Sequence, residues 1–224
     1  WLTITHCPTH TTMFTDAISG SISYSLFLAY HIFLYSLAYI TPYHSVVGTS
    51  WAQRKQWARK LLITPGREIL AVQTYRNIVL SSTLLASVAM GGFAFVISDL
   101  VDLNNCSEPD EDAYKSWILV GILAVSFMNF ALVSRLVAYS GFLAGSAFTG
   151  RSEELKEDFG DDGLEKLIPA VGTMTNRATI HFSLGLRCLF VAVPTGLWHL
   201  GAWWLFGSMF GLIGLLVVLD FAYT

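Results

Sequence analysis

Charge is scarce in this chain. Lys, Arg, Asp and Glu make up 13% of its 224 residues, against roughly 25% in an ordinary soluble domain. With 54% hydrophobic residues and a mean hydropathy of +0.54, a soluble globule would have too little polar surface to face water. Three cysteines are too few for a disulfide-stapled secreted scaffold. A formal net charge of −3 offers no electrostatic case for nucleic acid. Catalytic motifs are missing too: there is no Walker loop, GxSxG elbow, HExxH or CxxC. Asp158–Phe159–Gly160 matches a kinase triplet with no other kinase element beside it. The same stretch fails as a calcium loop, because Gly160 takes a ligand position and Pro169 stands where the bidentate Glu should be. No internal repeat suggests the paired halves of many transporters.

What the chain has is apolar length. A spanning helix needs about 20 predominantly apolar residues, and the expected spans cover residues 17–40, 78–98, 117–139, 180–200 and 203–221. The expected fold is therefore all-α, a polytopic integral membrane helix bundle forming one membrane domain over 1–224. Five spans are expected, with four as the alternative because Arg187 and Pro194 interrupt the fourth. Ser140, Gly141 and Gly145 predict a bend after the third span, and Pro194, Gly196 and Gly201 a break between the last two.

The connections are a basic segment over 49–77, an acidic loop over 99–116 and an acidic loop over 148–179. Lys and Arg, rather than net charge, set orientation. Segments 42–77 and 148–179 hold ten of them and are expected on the cytoplasmic, stromal or matrix side; an organellar inner or thylakoid membrane fits as a location. Cys7 and Cys106 then share the opposite side, where a disulfide could persist, the alternative being unpaired thiols. The chain opens on Trp1, so residues 1–12 are expected to be an extension, with Met13 a candidate initiator.

Thr49 and Ser50 are expected to cap a helix over Trp51–Leu62. Its Trp51, Arg54, Lys55, Trp57, Arg59 and Lys60 suit the lipid headgroup layer, the alternative being a solvated basic loop. Small residues at four-residue spacing, Ser21, Ser25 and Ala29, Gly141 and Gly145, and Gly207 and Gly211, let helix backbones approach. The spacing does not distinguish packing inside the bundle from docking on a partner.

Ionisable groups at membrane depth are functional candidates by default. His31 lies in the middle of the first span and shares a helical face with Tyr24, Leu28 and Tyr35. It could ligate a metal or chlorin, pass protons, or hydrogen-bond a neighbouring helix. His199, among tryptophans, is expected at the interface, and two isolated histidines make no metal signature. Arg135 is expected to snorkel to the inner end of its span. Arg187 precedes Pro194 in an apolar run, with Glu68 or Asp16 as conceivable partners.

Several segments together are similar to a known group. Tyr30–His31, the run Ile69-Leu70-Ala71-Val72-Gln73-Thr74-Tyr75-Arg76-Asn77, Gly185-Leu186-Arg187 through Pro194 and Trp198 to Gly201, and Leu219-Asp220-Phe221 resemble the membrane family catalogued as domain of unknown function 599. The resemblance runs from Met13 onward; Ala202, where the family pattern has Pro, departs from it. It implies a polytopic membrane protein and supplies no activity.

The leading functional expectation is a non-enzymatic structural or accessory subunit of a larger membrane complex, of bioenergetic type, with membrane lipids and other membrane subunits as partners. A small-solute or ion transporter or channel, with a polar path around His31, Arg135 and Arg187, is the alternative. A pigment- or haem-binding subunit using His31 or His199 as axial ligand is the third. Bound lipids are expected and no other cofactor.

Overall fold

The computed structural model describes residues 10–64, 66–104, 112–149 and 163–221. They form six α-helices: α1 (His10–Ile40), α2 (Val46–Ile63), α3 (Glu68–Asn104), α4 (Asp112–Thr149), α5 (Gly163–Leu197) and α6 (Ala202–Phe221). Short 3₁₀ turns at Pro42–His44 and Trp198–Leu200 complete them, and there is no strand among the described residues. All but α2 are long and apolar enough to cross a membrane. The molecule is an all-α, multi-pass membrane protein with five such helices.

The helices are longer than the apolar runs alone suggest. No break sets the residues from Glu68 apart from the second span: α3 runs unbroken from Glu68. The expected bend near Ser140 is also absent, since α4 continues to Thr149. In a bilayer every backbone N–H and C=O needs an internal partner, so Ser and Gly are held in helix more strongly than in water. The same reason keeps Pro194 inside α5, where the neighbouring Thr195 hydroxyl donates to the Val191 carbonyl at 2.8 Å. Of the loop expected over 148–179, residues from Gly163 onward are helical and belong to α5. The break between the last two spans falls at Gly201, whose φ of 131° suits glycine alone.

Around α2 the chain starts earlier than expected. Ser45, not Thr49 or Ser50, is the N-cap, and its hydroxyl accepts from the Gly48 amide at 3.2 Å. Gly66, at φ 81°, turns the chain into α3, whose first turn carries Glu68 in favourable register with the helix dipole.

In the row of helices α4 lies between α3 and α5, α5 also carries α2 and α6, and α6 pairs with α1. One buried cluster joins Ala58, Leu61 and Leu62 of α2, Ala71 and Tyr75 of α3, Val133 and Val137 of α4 and Val171 of α5. Hydroxyls tie the same helices: Ser82 to Ser134 at 3.0 Å, Ser126 to the Gly185 carbonyl at 2.8 Å, and Tyr75 to Ser140 at 2.8 Å. Ser140 also bonds Thr175 at 3.1 Å. Buried interhelical hydrogen bonds in membranes are individually modest. Tyr75→Phe is therefore expected to cost about 1 kcal/mol, read as a lower thermal midpoint in detergent, because Ser140 and Thr175 still satisfy each other.

The small-residue stripes of α1 and α6 face outward among the described residues. Ser21, Ser25, Ala29, Gly207 and Gly211 are exposed, and a Cβ at Gly207, Gly211 or Gly145 would meet nothing within 4 Å. Gly141 comes no nearer than 4.0 Å to Tyr75. Helices approach closely instead at Gly20, against Trp198, and at Gly185, against Phe130.

Candidate functional site

The polar residues read as candidates from the first and fourth spans meet at one point, joined by an acid from the fifth. Arg187 of α5 reaches Asp220 of α6 with both contacts from Nη2, at 2.8 Å to Oδ1 and 2.7 Å to Oδ2. Its Nη1 lies 2.8 Å from His31 Nε2, and its Nε donates to Ser183 Oγ at 3.3 Å. The Tyr30 hydroxyl donates to Asp220 Oδ2 at 2.6 Å. His31, Arg187 and Asp220 are all buried.

These contacts assign the His31 tautomer. A guanidinium only donates, so Nε2 must accept from it. The proton is then on Nδ1, which donates to the Phe27 carbonyl at 2.7 Å. His31 is therefore neutral, and both of its ring nitrogens are in use. An axial ligand at His31, as expected from the sequence, would have to displace Arg187 from Nε2. The other candidate ligand, His199, lies exposed in the 3₁₀ turn between α5 and α6.

Asp220 is one residue from the end of α6, where the helix dipole favours a cation over an anion. Arg187 offsets this locally, and the pair links α5 to α6 while His31 and Tyr30 extend the network to α1. Sequence reasoning paired Arg187 with Glu68 or Asp16, and both are corrected. Asp16 bonds Lys115 at 2.8 Å near the opposite end of α1, and Glu68 accepts from the Gly66 amide at 3.3 Å.

The predicted face of α1 is partly redrawn. Tyr24 bonds Thr195 at 2.8 Å, but Leu28 is 60% exposed and turns away from the bundle. Tyr35 faces inward, and its hydroxyl is buried with no hydrogen-bond partner among the described residues. Arg135 stays apart from the network: it is exposed, and its Nε donates to the Tyr139 hydroxyl at 3.2 Å.

Beside the network is a cavity of about 150 Å³. Tyr35, Ser50, Trp51, Arg54, Ser183, Arg187 and Asp220 line it, so α1, α2, α5 and α6 all contribute. This revises the headgroup set expected on α2. Lys55, Arg59 and Lys60 are exposed, whereas Trp51, Arg54 and Trp57 are half-buried against the bundle. Trp57 packs edge-on against Tyr75 with ring centroids 6.0 Å apart. Burial pulls the Arg54 guanidinium below its usual range by desolvating its charge. Arg54 also lines a second cavity of about 370 Å³, between α2, α3 and α5.

Asp220 was not singled out as a site residue by sequence reasoning, although it had a signal, an acid ending an apolar helix within a family segment. Tyr35 was singled out, as an intramembrane polar candidate on the face of His31, and its hydroxyl is left without a partner among the described residues. Cys7, Cys106 and the acidic stretch 151–162 lie outside the described residues.

The family described as "Protein of unknown function, DUF599" matches residues 20–224. Comparison with curated proteins and with solved structures finds no match.

Proposed function

The chain belongs to that family, and from this premise we propose that it is a non-enzymatic membrane protein that admits a small solute or ion into its bundle, as a transporter or channel. One observation carries the reading: an ionised pair, Arg187–Asp220, buried among apolar helices and bordering a cavity. Charges inside a bilayer are expensive and mark solute paths, proton relays or ligand sites. A staple between helices needs no space beside it, whereas a site does. His31 ends α1's part of the path nine residues before Ile40, about 13 Å along the helix axis. The Lys and Arg distribution supports the α2 end facing the cytoplasm, stroma or matrix.

Proteoliposomes test the reading. Flux of at least one species from a panel of protons, potassium, chloride and small carboxylates is expected, reduced about tenfold or more by His31→Ala. No flux across that panel, or flux indifferent to His31, would overturn it.

The accessory-subunit reading has a support of its own. Gly207 and Gly211 of α6 and Ser21, Ser25 and Ala29 of α1 are small and exposed among the described residues, as a surface for another helix would be. Extraction in mild detergent followed by native gels and mass spectrometry tests it: a large assembly of fixed stoichiometry supports a subunit, a lone small species removes it.

A further inference from the structure

We propose that the cavity beside Arg187 is an oxyanion site, in which Arg54, aided by the Tyr35 hydroxyl, takes the phosphate or carboxylate group of a ligand. The inference rests on the cavity that also carries the transport reading, but requires no transport.

The argument is one of charge accounting within the cavity. Three ionised side chains line it: Arg54, Arg187 and Asp220. Asp220 is fully engaged, both oxygens by Arg187 and one of them also by Tyr30. Arg187 in turn uses Nε and both terminal nitrogens on Ser183, His31 and Asp220. These two charges cancel and leave neither a free carboxylate for a cation nor a free guanidinium for an anion. Arg54 is the remainder. It has no hydrogen bond or ion pair with the described residues, yet it is half-buried and partly desolvated. A guanidinium stays charged in proteins and cannot neutralise itself, so an unpaired and desolvated one is expensive unless an anion compensates it.

The surroundings fit an anion's needs. The buried Tyr35 hydroxyl lacks a partner and can donate, and Ser50 lies on the same wall. Among the described residues, no carboxylate other than the neutralised Asp220 lines either cavity. The planar guanidinium matches a phosphate or carboxylate in a bidentate fork. Two sources share this chemistry. A soluble anion would occupy the first cavity alone. An anionic lipid would set its headgroup phosphate on Arg54 and run into the second cavity, whose walls include Trp57 and Ile78.

The test is a thermal-midpoint titration of the purified full chain in phosphatidylcholine nanodiscs. One arm adds inorganic phosphate at constant ionic strength, and the other dopes the discs with phosphatidylglycerol. A rise in midpoint in either arm is expected, the responding arm identifying the source. Arg54→Gln should weaken the apparent affinity at least about tenfold and Tyr35→Phe about threefold, with Arg54→Lys weaker than the unaltered chain but tighter than Arg54→Gln, because it keeps the charge and loses the bidentate fork. Arg67→Gln, an exposed basic residue between α2 and α3 that lines neither cavity, should leave it unchanged. Because Arg54 makes no bond with the described residues, the ligand-free midpoint of Arg54→Gln should equal or exceed that of the unaltered chain, which separates loss of binding from loss of folding. No response in either arm, or a response that Arg54→Gln retains, overturns the site. Binding without flux would leave it standing and overturn transport alone.

Discussion

Asp220→Leu is expected to destabilise the protein by about 3–5 kcal/mol, the cost of stranding one member of a buried ion pair, and Arg187→Met is expected to cost less. The asymmetry follows from the two groups. Without Asp220, Arg187 remains a cation among apolar helices and has no way to shed its proton. Without Arg187, Asp220 can neutralise itself by binding one, keeping the Tyr30 bond as it does so. Replacing both should recover about half of the loss, since apolar side chains of similar volume commonly match or exceed a buried pair in stability. Recovery should fall short by about 2 kcal/mol, because His31 Nε2 loses its donor and the Tyr30 hydroxyl its acceptor. Adding Tyr30→Phe should remove part of that remainder. Reversible unfolding of the set in mild detergent reads all four values. Equal costs for the two single changes would mean that the pair is solvated rather than buried.

That network shows what was legible in the chain. His31 and Arg187 stood out because a polar residue in an apolar run conflicts with its surroundings, and such conflict is visible in one dimension. Asp220 conflicted less, since the end of an apolar run is where polar residues normally resume. What joins Tyr30, His31, Arg187 and Asp220 is the order of helices, which sets α1 beside α6 and α6 beside α5. Residues 30 and 220 carry no local signal of that proximity. The small-residue stripes left packing and docking undecided for a related reason. Four-residue spacing puts Gly207 and Gly211 on one face but leaves undetermined which face turns inward. Gly20 and Gly185, where helices do meet closely, belong to no such pair. Ser140, Gly141 and Pro194 misled in the opposite direction: rules for helix ends learned from water undercount the penalty for opening a helix in lipid. Span number and apolar character were legible throughout, because they depend on composition over some twenty residues rather than on any single position.

At the end of the bundle remote from α2, Trp198 is the residue whose loss should cost most, about 3–5 kcal/mol for Trp198→Ala. Its indole is 2% exposed and packs edge-on against Tyr24 and Tyr114, with ring centroids 6.2 and 5.5 Å away. The Lys115 ammonium sits 5.7 Å from the same ring while bonding Asp16, so Trp198 organises contacts from α1, α4 and α5 together. Gly20 of α1 provides the space for it. A Cβ there would lie 2.7 and 2.9 Å from two ring carbons, closer than such atoms tolerate. Gly20→Ala thus combines two opposed effects. Overpacking costs typically about 1–3 kcal/mol, and exchanging glycine for alanine inside a helix returns about 1 kcal/mol. The net expectation is destabilisation of about 1 kcal/mol. In a Trp198→Ala background the clash is gone and only the helical gain is left, so the same Gly20→Ala change should become stabilising. The sign reversal is the informative result, since residues in contact couple and distant ones add. If Gly20→Ala had the same effect in both backgrounds, α1 would not be held against the indole, and the Asp16–Lys115 pair would have to anchor that end of the bundle instead.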